Sequence, residues 1–304
     1  MRRLKEVSIF LFIVSLILFG INFYAKRVLG DQTGPVFHEE SNIIEVSVKD
    51  GEEALLKGLT ATDAADGDVT NSIIVEAISP FTGTGHRIVT YAAFDKDNHV
   101  THLKRELAYT DYVAPRFHLN KPLSFAMNST KLLDGVTAED CIDGDITKNI
   151  RMMSDDGIDT DHVGEYSARL KVANSAGGVS YLPVTIEIYD ASVRYRMPQI
   201  QLTDNLVYVE KSSEFDEKEY LNSIVINGTE YSLTDKYGTY VTNNDVDETG
   251  NTINYDLVDI DSNVDTDVPG YYEVIYTFED TGATGGSGKA RLYVVVTERG
   301  AGGK

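Results

Sequence analysis

The sequence predicts an all-β protein, built as tandem antiparallel β-sandwich modules behind a single N-terminal transmembrane helix. Three observations carry that expectation. A sixteen-residue segment occurs twice at a constant offset, and apolar residues alternate with polar ones between turn signals. The first long stretch without a charge runs from Val7 to Ala25, 19 residues.

As a helix those 19 residues span about 28 Å, close to the hydrocarbon thickness of a bilayer. A cleaved leader would carry a shorter apolar core and a small-x-small site directly after it. Phe23-Tyr24-Ala25 is a poor site, and Lys26-Arg27 follows it, so residues 1–30 read as a cytoplasmic stub and uncleaved signal-anchor. Arg2, Arg3 and Lys5 outweigh Lys26 and Arg27 slightly, which places the N-terminus inside and the C-terminal domains outside the cell membrane.

The rest of the 304-residue chain is acidic. The first 27 residues balance at +4, leaving −25 for the remainder of a chain whose net charge is −21. Such a surface repels phosphate backbones and attracts divalent cations, so nucleic acid is excluded as a partner. The 18 Tyr and 11 Phe, without a Trp, suit strands. Cys141 is the sole cysteine, so no intrachain disulfide can form. It stands where the other copy has Ala64, which marks a small half-buried side chain rather than a reactive thiol.

The repeat runs from Gly58 to Ile73 and again from Gly135 to Ile150, 77 residues on, with nine of sixteen positions identical. A second shared element, Asp159 to Tyr166, recurs 106 residues later as Asp265 to Tyr272. A third copy is therefore present, with a diverged front half. After each shared glycine the period is two: Tyr166, Ala168, Leu170 and Val172, then Tyr272, Val274, Tyr276 and Phe278. Turns follow at Asp95–Asn98, Asn174–Gly178 and Asp280–Gly288, and Ala290, Leu292, Val294 and Val296 begin the next alternation. Several such strands per 75 to 100 residues read as sandwiches. Prolines at 115 and 198 mark the boundaries. The expected division is module 1 at 31–112, module 2 at 113–190, module 3 at 191–297 and a flexible tail at 298–304. Short linkers favour an extended rod, on the order of 100 Å for three modules end to end.

The Ala-x-Asp-x-x-Asp-Gly-Asp-(Val/Ile)-Thr signature, the Gly-x-Tyr strand and the Ala-Pro linker resemble bacterial immunoglobulin-like surface repeats of the hyalin-like type, also found as the immunoglobulin-like domain of a pesticidal crystal protein. The resemblance covers residues 36–190 and the second half of 200–297, and it implies immunoglobulin-like sandwiches. Such modules serve as spacers, adhesins and accessory domains alike.

Asp63, Asp66 and Asp68, with Asp140, Asp143 and Asp145, form two clusters of three carboxylates within six residues. Oxygen-only clusters suit Ca²⁺, which would stiffen each module near its end. The competing reading is a tight turn, with Asp side chains bonded to local amides and Gly at positive φ. Asp245 to Asp256 matches an EF-hand loop at its first, third, fifth and sixth positions, but it ends in Asp and reads as a solvated hairpin loop. Asp259, Asp261, Asp265 and Asp267 extend that negative surface.

No Gly-x-Ser-x-Gly, His-Glu-x-x-His or phosphate-binding glycine loop occurs, and the histidines (His38, His86, His99, His102, His118 and His162) are scattered. A non-enzyme is expected. The sequons at Asn128 and Asn227 matter only in a eukaryotic host. The expected function is a stalk or adhesin that presents module 3 to an extracellular protein or glycan. The alternative is a scaffold subunit of an envelope membrane complex. Tyr220, Tyr231, Tyr237, Tyr240, Tyr255, Tyr271 and Tyr272 crowd module 3, as core or as contact surface.

Overall fold

The computed structural model describes residues 2–29, 33–234, 252–280 and 285–298. Helix α1, Arg2–Leu29, is apolar over Val7–Tyr24, with none of that stretch buried against protein. At 1.5 Å per residue α1 is about 42 Å long, enough to cross a bilayer. Beyond it the chain is all-β, and it divides into two compact units, Met1–Tyr109 and Thr110–Lys304.

The first unit holds one sandwich. Its strands are β1 (Val36–Glu39), β2 (Ile43–Val46), β3 (Leu59–Asp63), β4 (Gly67–Asp68), β5 (Ile74–Ile78), β6 (His86–Phe94) and β7 (Val100–Tyr109), with a one-turn helix α2 (Glu52–Leu55) between β2 and β3. One sheet runs β1-β3-β4 and the other β2-β7-β6-β5, with β2 parallel to β7. The alternating residues Val89, Tyr91 and Ala93 of β6 meet Leu59 and Ala61 of β3 in the core.

The second unit repeats that design once closely, in module 2, and once with a four-stranded first sheet, in module 3. Module 2 has β8 (Arg116–Leu119), β9 (Ser124–Ala126), β10 (Val136–Asp140), β11 (Gly144–Asp145), β12 (Arg151–Met153), β13 (Gly164–Ala173) and β14 (Val179–Tyr189). Its sheets run β8-β10-β11 and β9-β14-β13-β12, with β9 parallel to β14. A short helix α3 (Ala191–Arg194), capped by Asp190, leads on. Module 3 has β15 (Gln199–Leu202), β16 (Leu206–Glu210), β17 (Leu221–Ile226), β18 (Thr229–Thr234), β19 (Thr252–Asn254), β20 (Val258–Ser262), β21 (Gly270–Glu279) and β22 (Ser287–Thr297). Its sheets run β15-β17-β18-β19 and β16-β22-β21-β20, with β16 parallel to β22.

Where modules 1 and 2 turn through Asp-Gly-Asp, module 3 closes a two-residue hairpin. Asn227 and Gly228, at φ 49° and 79°, join β17 to β18 with Ile226 opposite Thr229. Positive φ at both positions is what a primed turn demands, and Asn-Gly supplies it cheaply.

The expected end-to-end rod is wrong for modules 2 and 3, which pack side by side. Strand β22 is buried on both faces. Leu292, Val294 and Val296 enter the core of module 3, while Tyr293 and Val295 complete the core of module 2 beside Phe117, Leu182 and Ile186. An antiparallel sheet normally keeps one face in water; here the second face of the module 3 sheet finds the open side of the neighbouring sandwich.

Candidate functional site

The two Asp-Gly-Asp turns are built alike, and each carboxylate can be followed oxygen by oxygen. Asp63 Oδ1 accepts the amides of Ala65 and Asp66, both at 2.9 Å, and Asp140 Oδ1 accepts that of Asp143 at 2.7 Å. Gly67 and Gly144 take φ of 76° and 70°, a conformation side chains resist. Asp68 and Asp145 each accept the amide two residues on, from Thr70 and Thr147, at 2.9 Å. Those bonds hold both carboxyls below the usual carboxylate range, the Thr70 hydroxyl contributing most at Asp68 and the Thr147 amide at Asp145. The same threonines reach across the sheet. Thr70 Oγ1 accepts the Ala61 amide at 3.1 Å, and Thr147 Oγ1 accepts that of Ala138 at 3.0 Å.

The middle aspartate ties the turn to the loop that follows the sixth strand of its module. Asp66 accepts the Lys96 amide at 2.8 Å and its ammonium at 2.9 Å; Asp143 accepts the Ser175 amide at 2.6 Å and its hydroxyl at 2.7 Å. Local donors thus engage most of the oxygens of these six carboxylates. Among the described residues no group of three or more His, Cys, Asp or Glu side chains is placed to hold a metal ion. Most of the loop Asp245–Asp256, and Tyr237, Tyr240 and the tail beyond Glu298, lie outside the described residues.

One oxygen breaks the symmetry. Asp140 Oδ2 receives Nδ2 of Asn174 at 2.6 Å, and Asn174 Oδ1 in turn accepts the Gly178 amide at 2.7 Å. Module 1 has Asp95 at the Asn174 position, its two oxygens accepting the His99 amide at 2.8 Å and His99 Nδ1 at 2.6 Å. Asp63 Oδ2, the counterpart of the oxygen that Asn174 serves, is buried without a hydrogen-bond partner.

The remaining single residues fall into structural places. Cys141 Sγ bonds both backbone groups of Val113, at 3.3 and 3.2 Å, pinning the leading segment of module 2. His102 meets Glu76 at 3.3 Å and His86 meets Glu106 at 2.9 Å, both on the surface. Tyr231, Tyr255 and Tyr272 pack against the module 3 core, as does Tyr220, whereas Tyr271 is half-exposed.

The joint between modules 2 and 3 is held by several side-chain hydrogen bonds and ion pairs. Tyr208 Oη accepts the amide of Phe117, on the edge strand β8, at 2.8 Å. Tyr293 Oη accepts the Thr185 amide at 2.8 Å and donates to the Thr185 carbonyl at 3.0 Å. Burial pushes both phenols up to about 12, against the opposing pull of those amides and of Arg116 and Arg291. Arg291 bonds Glu273 at 2.7 Å, Thr185 Oγ1 at 3.0 Å and Glu165 at 3.1 Å, and Lys289 reaches Glu165 at 2.6 Å. Burial raises the Glu165 carboxyl, but those two cations outweigh it and hold the group low. The alternation in β22 was visible in the sequence; the meaning of Tyr293 and Val295 in the unbroken run Leu292–Val296 was not. Such a run marks a strand buried on both faces.

No family model matches the chain. It is 29% identical over 227 residues to the pesticidal crystal protein Cry22Aa of Bacillus thuringiensis, covering 73% of this chain and 27% of that protein. It is 27% identical over 143 residues to an uncharacterized 81.3 kDa protein of Acholeplasma phage L2, covering 46% of this chain and 18% of that protein. The chain thus matches about a quarter or less of the length of these relatives. Among solved structures, the CBM51-2 and INT domains of Clostridium perfringens ZmpB, bound to GlcNAc, align at 18% identity over 49% of this chain and 26% of that one, with a TM-score of 0.21. The protocadherin GammaB4 extracellular domain aligns at 13% identity over 88% and 50%, with a TM-score of 0.18. Neither score carries an inference about function.

Proposed function

We propose that the chain is a non-enzymatic, membrane-anchored bacterial cell-surface protein whose sandwich modules bind an extracellular protein or glycan. The supporting observation is a run of three sandwich modules after one apolar helix, with the motif carboxylates of modules 1 and 2 bonded into turns. Side chains held in that way are shape, not chemistry, and shape repeated along a chain serves presentation. The joint between modules 2 and 3 favours a second reading, the scaffold subunit of an envelope complex, since a fixed pair of modules can hold a neighbour at a set geometry.

Expression of the full chain in a bacterial host tests the first reading. Protease added to intact cells should release fragments from residues 33–298, while the N-terminal helix stays in the membrane fraction and the mature N-terminus keeps residues 1–30. Fragments protected until the cells are lysed would refute surface display. A new N-terminus after Gly30 would replace the anchor with a cleaved leader. Partners that leave the membrane with the full chain, and are lost when Tyr293 is replaced by Ala, would decide for the scaffold.

A further inference from the structure

The outer face of the β12–β13–β14 sheet carries side chains that the fold does not require. Register puts Arg151, Lys171 and Tyr181 in one cross-strand row, and Met153, Arg169 and Pro183 in the next. They alternate with the buried Leu170, Val172, Leu182 and Val184, so they face water. Arg169 and Lys171 lie 5.4 and 5.7 Å from the centre of the Tyr181 ring, and among the described residues neither meets a carboxylate. In a chain with 48 acidic and 27 basic residues, three cations on two adjacent rows without an acid are a local inversion of sign.

The other modules show that the sandwich does not impose this. The same two rows read Ile74, Ala92, His102 and Ala77, Thr90, Lys104 in module 1. In module 3 they read Asp259, Thr277, Lys289 and Asp261, Ile275, Arg291. There Lys289 and Arg291 are held by Glu165 and Glu273, and Asp259 and Asp261 lie exposed on the edge strand β20 with no cation in salt-bridge reach among the described residues.

We propose that the basic face of module 2 docks on the Asp259–Asp261 edge of module 3 in a second copy of the chain. Arg169 and Lys171 are two residues apart on one strand, as are Asp259 and Asp261, so both pairs share a spacing of about 6.8 Å. Among the described residues neither set of charges is matched by an opposite charge within one copy. The face presents Arg, Tyr and Met, the side chains enriched at protein interfaces. At 0.15 M salt the screening length is about 8 Å, which damps the repulsion between two acidic bodies while contact pairs keep their attraction. On a membrane the confinement of both copies raises their effective concentration further.

Sedimentation velocity of the full-length protein in detergent micelles, at 0.15 M salt, tests this wherever the chain is displayed in a cell. The wild type should self-associate below about 100 µM. Arg169→Glu with Lys171→Glu should weaken association at least about tenfold, and so should Asp259→Lys with Asp261→Lys. The four substitutions together should restore it to within about threefold of wild type, because the charges are exchanged rather than lost. Arg169→Ala with Lys171→Ala should weaken it without adding repulsion, and circular dichroism of each variant should match wild type. A wild type that stays monomeric would overturn the proposal. So would association that survives Arg169→Glu with Lys171→Glu, as helix-driven contact would, or a combined variant that fails to recover.

Discussion

Tyr293 Oη closes both backbone hydrogen bonds of Thr185, accepting its N–H and donating to its carbonyl. Strand β9 pairs with β14 only from Glu187 to Tyr189, so Thr185 faces the same edge just before that partner begins. A phenol from module 3 stands in for the missing strand. Phe117, on the edge strand β8, is met in the same way by Tyr208. Two tyrosines thus cover open edges that would otherwise need water or a second chain.

Tyr293→Phe removes that stand-in while keeping the ring. Thr185 is left with a part-buried, unpartnered N–H and C=O, so the unit Thr110–Lys304 should lose about 1–3 kcal/mol. Tyr293→Ala should cost more, about 3–5 kcal/mol, because a cavity opens in the module 2 core. Urea unfolding of the full chain, followed by tyrosine fluorescence, reads both.

Alkali should loosen the same joint. The phenols of Tyr208 and Tyr293 are raised from 10 to about 12 in the fold. A raised folded value means that the neutral form is favoured there, so its stabilisation is complete below pH 10 and is lost as pH climbs through 12. Each phenol should contribute on the order of 2 kcal/mol. Thermal midpoints measured from pH 8 to 11.5 should fall, and the slope should flatten in Tyr208→Phe with Tyr293→Phe.

Asp95→Asn should stabilise module 1. The new amide can keep its oxygen on the His99 amide and turn its NH₂ to Asp63 Oδ2, which is the arrangement of Asn174 with Gly178 and Asp140. A gain of about 1–2 kcal/mol is expected from satisfying a buried oxygen. The reverse change, Asn174→Asp, should destabilise module 2 by at least as much. Differential scanning calorimetry of the full chain separates the two effects.

Thr70→Val and Thr147→Val test the turn staple. Each removes the hydroxyl that accepts a cross-strand amide, from Ala61 or Ala138, and that also bonds the neighbouring aspartate. A loss of about 1–2 kcal/mol per site is expected, by chemical denaturation, with no change in strand content.

Much of this was legible in the sequence. The duplicated Asp-Gly-Asp segment fixed the turn, and the alternation after Gly164 and Gly270 located β13 and β21 with their buried Leu170, Val172, Val274 and Tyr276. The module 3 front half escaped because its turn chemistry differs; Asn227-Gly228 is a hairpin signal where the other modules use an Asx turn. The side-by-side joint escaped because periodicity reports burial and not the identity of the partner. The unbroken run Leu292–Val296 marks a second buried face, but it does not say that another sandwich covers Tyr293 and Val295. The inequality of Asp95 and Asn174 was in plain view, yet it acquires meaning only once Asp63 and Asp140 are seen to be buried differently.

Hydrogen exchange at the Thr185 amide, read at single-residue resolution in the full chain, tests the shared joint most directly. The structure predicts protection comparable to that of Val184 and Ile186 inside the same strand, and loss of that protection in Tyr293→Phe. A Thr185 amide that exchanges in the wild type as fast as an open strand edge would contradict the packing of module 3 on module 2.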